Sequence, residues 1–364
     1  MKKILLISKE WAPAHNTGLG NASQLHEKIL KKINYKVITV SSRPSNKDVN
    51  FKLKGFLDFI LNLKFFFNKA DNIIKKFEPD IVMVESMQTV ISEIFLYKAL
   101  QNKKKIIIIS HGISIFPYKF KIKYILRFAA WCFYIPLLIF FLKRSNLFLT
   151  LDSLCNDKRF FDTHLIKKYN KNFLEYNNCS RFENYKIKNF KCRTKTILCI
   201  GYVDHIKNQL DLVFIANKVK DLNINIKIIY NNYNQKYFNN ILKKIKYYNL
   251  KNIILLNDAK INLLDEIQKS WLLINTSITE VSPLSLIEGN CLKIFFLSYD
   301  VGRLNKFGGG IVHYSLDHLV ENIRSVYQNN FFHKKLKKLA EKDFLKNYTQ
   351  LKLKNTFLKI KNVL

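Results

Sequence analysis

The sequence predicts an α/β protein made of two Rossmann-like, doubly wound parallel-sheet domains that face a central cleft. Three observations carry this. Short apolar runs alternate with amphipathic stretches through both halves, the pattern of parallel strands joined by helices. A polar, aperiodic stretch at 170–195 divides the halves. At 364 residues the chain is long enough for two cores.

The strands are expected at 3–8, 36–40, 80–85, 105–110 and 147–152 in the first half. In the second they fall at 196–202, 226–230, 252–257, 272–276 and 294–299. These are short apolar runs, and they alternate with the helical stretches. Helical periodicity marks 21–32, 208–219 and 235–248, and a terminal helix is expected at 344–364. The domains are set at 1–185, joined by the terminal helix, and at 190–343. The start, MKKILLISKEW, lacks a long apolar region and a small-residue cleavage site, so it reads as a first strand.

Composition narrows the class. A mean hydropathy of −0.08 excludes a disordered chain and a polytopic membrane protein. The formal charge is +34, from 61 Lys+Arg against 27 Asp+Glu. Only eight of the basic residues are Arg, whereas phosphate- and base-reading surfaces favour the Arg fork. Lys, Asn, Ile, Phe and Tyr share A/T-rich codons, so genome bias explains much of the excess. No nucleic-acid motif accompanies the charge, and no specific nucleic-acid partner is expected. The six cysteines form no CxxC pair and no Cys/His zinc spacing, so they read as reduced thiols.

In open parallel sheets ligands bind beyond the carboxyl ends of the strands, so the loops after the strands are the places to look. The run T-S-I-T-E-V-S-P-L-S-L-I-E-G at 276–289 follows a strand. Ser282 is a natural N-cap and Pro283 suits the first helical position. The amides of Leu284, Ser285 and Leu286 would then point at an anion. Glu280 and Glu288, eight positions apart, can accept from hydroxyls at the two ends of a ligand, or can be a loop acid and a dipole-complementing acid. Gly201 ends another strand, and Lys207 opens the helix after it, where it can reach a diphosphate or stand in solvent. In the first half Gly18-Leu19-Gly20-Asn21 opens a helix after the first strand, where two glycines permit close approach to a ligand or make a plain turn. Ser110-His111-Gly112 ends a strand, and His111 there suits a hydrogen-bonder or a structural role.

Taken together and in this order, these signals resemble the family 4 retaining glycosyltransferases of the GT-B fold. The family's Glu-x7-Glu element matches Glu280 to Glu288, and its G-R-x4-K element matches Gly201 to Lys207 in spacing. Asp300-Val301-Gly302 resembles a turn of the family, and the likeness spans essentially the whole chain. It departs at Tyr202, where the family usually has Arg, with His205 or Arg303 as substitutes, and at Val281 and Pro283, which replace motif glycines.

The resemblance implies a metal-independent, retaining hexosyltransferase that moves a sugar from a nucleoside-diphosphate sugar to a saccharide or lipid-linked saccharide. Bacterial envelope polysaccharide or lipopolysaccharide synthesis is the setting it suggests. It implies Glu280 and His111 as catalytic groups. It implies Lys207, Gly201, Ser282, Leu284, Ser285, Leu286 and Glu288 as the donor site, and Gly18, Leu19, Gly20 and Asn21 as the acceptor and phosphate loop. No cofactor is expected beyond the nucleotide sugar, and no Asp-x-Asp motif is present. A catalytically degenerate GT-B module that binds a membrane or polyanion, and a nucleotide-sugar epimerase, are the alternatives.

The run FAAWCFYIPLLIFFL at 128–142 is fifteen apolar residues, short of the roughly 20 a spanning helix needs. Pro136 interrupts it; Lys119, Lys121, Lys123 and Arg127 precede it, and Lys143 and Arg144 follow. It reads as a buried helix or as an interfacial helix that docks on anionic lipid. The basic stretch at 51–77 would add to that surface. The expected location is cytoplasmic, with peripheral contact at the inner face of the cytoplasmic membrane.

Overall fold

A computed structural model describes residues 1–51, 61–87, 89–112, 122–151, 161–170, 172–188 and 194–363. The chain divides into two units, Met1–Asn177 with Leu351–Leu364, and Asn178–Gln350.

The first unit holds β1 (Lys3–Ser8), α1 (Gly18–Lys32), β2 (Lys36–Ser41), β3 (Val49–Asn50), α2 (Leu63–Phe77), β4 (Ile81–Val84), α3 (Ile91–Gln101), β5 (Lys105–Ser110), α4 (Ile122–Arg144), β6 (Leu147–Thr150), α5 (Phe161–Tyr169) and β7 (Phe173–Glu175). Its sheet runs β3-β2-β1-β4-β5-β6-β7, parallel throughout. The second unit holds β8 (Lys195–Ile200), α6 (Leu210–Lys218), β9 (Ile224–Tyr230), α7 (Gln235–Tyr247), β10 (Ile253–Asn257), α8 (Leu263–Lys269), β11 (Leu272–Asn275), α9 (Leu284–Cys291), β12 (Phe296–Tyr299), β13 (Gly310–His313), α10 (Leu316–Gln328) and α11 (Asn330–Asn347). Its parallel sheet runs β10-β9-β8-β11-β12-β13. The last helix, α12 (Gln350–Val363), returns the chain to the first unit.

Each expected strand has its counterpart. The central strands read KILLIS, IVMV, KIIIIS and LLIN and are buried along almost their whole length, as helices on both faces of a sheet demand. The strand expected over 196–202 ends at Ile200, because Gly201 takes φ +154° and turns the chain. The three strands without a sequence forecast, β3, β7 and β13, are two to four residues long and carry too little pattern to read.

The division falls at 177/178 rather than between 185 and 190. Phe182 packs with Leu198, Leu286 and Leu292 of the second core, and Glu183 Oε2 accepts from the Gln350 amide, so 178–188 belongs to the second unit. The later boundary lies at 350/351 rather than 343/344, since Phe344 and Tyr348 are buried in that same core.

The apolar run at 128–142 lies in α4. Leu138, Phe141 and Leu142 are buried in the first unit's core, while Pro136 and Leu137 are exposed. The side chains at 128–131 lie outside the described residues, as do Lys119 and Lys121. Among the described residues no helix is long and apolar enough to cross a membrane. Cys132, Cys179, Cys199 and Cys291 are free thiols, and Cys155 and Cys192 lie outside the described residues.

Candidate functional site

In both sheets the strand order reverses beside the first strand of the unit, so the crevice outside the carboxyl ends there is the expected ligand position. In the second unit it lies between the ends of β8 and β11. Two loops leave these ends, 201–209 and 276–283, and they are stitched together. The Ile278 amide donates to the Ile206 carbonyl at 2.8 Å, and Thr276 Oγ1 donates to the Lys207 carbonyl at 3.1 Å.

Lys207 is placed from below by its own loop. Asp204 Oδ1 accepts from the amides of Ile206 and Lys207, both at 2.9 Å, and fixes the turn. The aliphatic stem passes over Gly201, where an added Cβ would touch Cε at 3.8 Å. Lys207 Nζ makes an ion pair with Glu280 Oε1, which also accepts from Ser277 Oγ at 3.0 Å. Burial alone would lower the Lys207 ammonium, but the Glu280 carboxylate outweighs it and holds it above its ordinary value. Lys207 is thus charged at neutral pH.

Glu280 is held from the other side by Gly302. At φ +62° that residue comes so near that a Cβ would sit 1.7 Å from the Glu280 carbonyl oxygen. The D-V-G turn is therefore a clamp on the Glu280 loop, and Arg303, which follows it, is buried. His205 lies edge-on to Tyr237 at 4.5 Å.

Helix α9 starts one residue later than expected. Its N-cap is Pro283, with no side-chain bond, rather than Ser282. The Leu286 amide donates to the Pro283 carbonyl at 3.2 Å, so it is not an anion donor. The amides of Leu284 and Ser285 remain as first-turn groups with no carbonyl a turn earlier. The hydroxyls of Thr279 and Ser282 are buried with no partner among the described residues. Glu288, in the second turn, is 4% exposed and pairs with Arg181 Nε at 2.8 Å. Burial raises its carboxyl despite the opposing guanidinium.

The corresponding region of the first unit is different chemistry. Gly18, Leu19, Gly20 and Asn21 form the first turn of α1, capped by Thr17 Oγ1, which accepts from the Gly20 amide at 3.0 Å. A Cβ on Gly20 would lie 2.2 Å from the His15 carbonyl oxygen, so only glycine lets the 12–17 loop fold against the helix. Leu19 lines a cavity of about 300 Å³ with Lys9, Glu10, Met87, His111 and Gly112. Glu10 accepts from Thr17 Oγ1 and from Arg43 Nη1, both at 2.6 Å.

Behind His111 lies a cluster that sequence reading did not find. Glu85, fully buried, stands 2.9 Å from His26 Nδ1 and 3.0 Å from His111 Nε2. A carboxylate only accepts, so both facing nitrogens carry hydrogen. His111 Nδ1 is 3.4 Å from the Tyr176 hydroxyl. Both ring nitrogens of His111 therefore have partners inside the unit. Burial raises Glu85, but the two histidines outweigh it and bring its carboxyl down to about 2. The ligand atoms of His26, Glu85 and His111 lie within 4.8 Å of one another, a set able to hold a metal ion only if the facing histidine nitrogens give up those hydrogens.

No protein-family model matches the chain, and no curated protein matches it by sequence. Solved structures match over its whole length. A glycosyltransferase from Rickettsia africae ESF-5 is 16% identical with a TM-score of 0.76, over 100% of this chain and 98% of its own. The fold is GT-B. Sucrose-phosphate synthase from Thermosynechococcus elongatus is 11% identical, also at 0.76, with coverage of 100% and 98%. HepE from Anabaena in complex with UDP-glucose is 11% identical at 0.74, with both chains covered in full. At these identities the likeness establishes architecture, and the chemistry rests on the residues themselves.

Proposed function

We propose that this chain is a glycosyltransferase that takes a sugar from a nucleoside-diphosphate sugar held in its second unit. The observation that carries the reading is the Lys207–Glu280 ion pair at the β8/β11 switch point, with the start of α9 four residues beyond Glu280. The GT-B fold, shared with proteins whose names include glycosyltransferase and galactosyltransferase, supports it.

The chemistry follows from charge. Breaking the bond between the sugar C1 and the diphosphate oxygen leaves negative charge on the phosphate. Lys207 and the amides of Leu284 and Ser285 are placed to take that charge as it appears. Lys207 keeps two N–H groups beyond the one given to Glu280. Glu280 positions the sugar through the oxygen that neither Lys207 nor Ser277 uses, and the hydroxyls of Thr279 and Ser282 add polar contacts. Glu288 receives the nucleoside's ribose once Arg181 yields. The transfer retains configuration by a front-face route, in which the acceptor oxygen attacks C1 as the phosphate leaves and its proton passes to the phosphate. The cavity beside His111 in the first unit receives a saccharide or lipid-linked saccharide acceptor.

A panel of nucleotide sugars screened by thermal shift tests the reading. At least one should stabilise the protein, and Lys207→Met should remove most of the shift. If none of the panel stabilises it, the reading falls. Transfer should persist in EDTA, because Lys207 and the helix amides replace a divalent cation; loss of turnover on chelation would contradict that part.

A further inference from the structure

A second cavity lies at the opposite end of the second sheet, beside the amino-terminal ends of β8 and β11. It encloses about 230 Å³, and its lining includes Lys188, Lys195, Lys269, Trp271, His333 and Lys337 but, among the described residues, no acidic one. Lys188 and Lys269 are neutralised from outside it, by Asp265 at 3.0 Å and Glu266 at 3.4 Å. The other cations are not. Lys195 Nζ stands over the rings of Tyr327 and Trp271, at 3.9 and 4.9 Å, and donates to the Tyr327 carbonyl at 3.1 Å. Lys337 has no hydrogen-bond or ion-pair partner among the described residues. His333 stacks on Trp271, centroids 5.5 Å apart and 15° from parallel, and meets the Trp271 carbonyl at 3.3 Å.

These cations repel one another. Burial lowers the Lys195 ammonium. Burial lowers Lys337, and Lys293 lowers it further. His333 is lowered first by burial, then by Lys337 and Lys195. Half-buried positive charge without a carboxylate is unfavourable until an anion joins it. The space suits a phosphate group, and the Trp271 face offers a wall to an apolar body attached to it.

We infer that this cavity is a second anion site, which binds the phosphate group of a small ligand through Lys195 and Lys337 beside Trp271. It is separate from the donor site at the other end of the sheet. The phosphate is either free or carried by a phosphomonoester, and the two sources separate by experiment.

Trp271 supplies the readout. Inorganic phosphate titrated into the full chain should give a saturable change in tryptophan fluorescence that Trp271→Phe removes. Lys207→Met, which alters the donor site, should keep it. Lys195→Met and Lys337→Met should each weaken binding roughly tenfold or more, the loss expected for one charge-assisted hydrogen bond. Tighter binding of phenyl phosphate assigns the site to a phosphomonoester, and equal binding assigns it to free phosphate. An equal response to sodium chloride at matched ionic strength overturns the inference, as does unchanged affinity in Lys337→Met. Should Lys195→Met fail to fold by circular dichroism, the half-buried Lys337 decides alone.

Discussion

Lys207 and Glu280 depend on each other. Removing the Glu280 charge leaves a partly buried ammonium without its counter-ion and removes the sugar-positioning acceptor. Glu280→Gln should therefore lower kcat/KM by about 10²–10³-fold, in the range seen when one preorganised polar group is lost. Steady-state transfer assays would show it, and activity within threefold of wild type would contradict the assignment. Glu85 makes a different prediction. Its carboxyl is held at about 2 against an ordinary value of 4.5. A depressed acid stabilises the fold above its unfolded value and loses that contribution as pH falls toward the folded one. The stability gap between wild type and Glu85→Gln should be of the order of 3 kcal/mol near pH 6 and should shrink between about pH 4.5 and about 2. Urea titrations at several pH values measure it, and parallel profiles would refute it. Sequence made Lys207 and Glu280 legible because each lies in a strand-loop-helix pattern with a telling neighbour. It hid Glu85 and His26, which lie 59 residues apart and meet only through the fold. Arg181 was hidden too, since it lies in an aperiodic stretch that carries no spacing signal.

At the scale of elements, the strands were readable because burial on both faces enforces unbroken aliphatic runs. Helix starts were less so. Ser282 has the right chemistry for a cap, yet Pro283 takes that position and leaves the serine hydroxyl without a partner among the described residues. Cap preference is a local tendency, and the packing of the Glu280 loop under Gly302 overrides it. That packing is itself testable. Gly302→Ala adds a methyl 1.7 Å from the Glu280 carbonyl oxygen, at a φ that side chains avoid, so the loop must move. The variant should keep its far-ultraviolet spectrum and lose most nucleotide-sugar stabilisation. Ser285→Ala, which leaves every amide of α9 in place, should retain it. Equal stabilisation in wild type and Gly302→Ala would remove the clamp from the account.

The whole molecule is two units that the chain visits in the order first, second, first. Sequence showed the doubling through its repeated strand-helix alternation, and it put the boundaries a few residues away because the connector at 178–188 is polar outside yet anchored by Phe182 inside. The return helix α12 is a core element of the first unit. Leu353, Phe357 and Ile360 are buried, and Phe357 meets the His26 ring edge-on at 5.2 Å. Phe357→Ala should destabilise by about 3–5 kcal/mol, the usual effect of emptying an aromatic core position. Differential scanning calorimetry would record it, and an unshifted transition would place α12 outside the core.

That return has a consequence during synthesis. The ribosome makes residues 1–177 before 178–350, but the ring that closes over His26 emerges more than three hundred residues after His26 itself. The second unit has all its parts by residue 350, whereas the first must wait, with an open apolar seam, for the last turns of α12. Of the two units, the one translated earlier is thus the one completed later, and a nascent chain stalled before 351 would present that seam to chaperones.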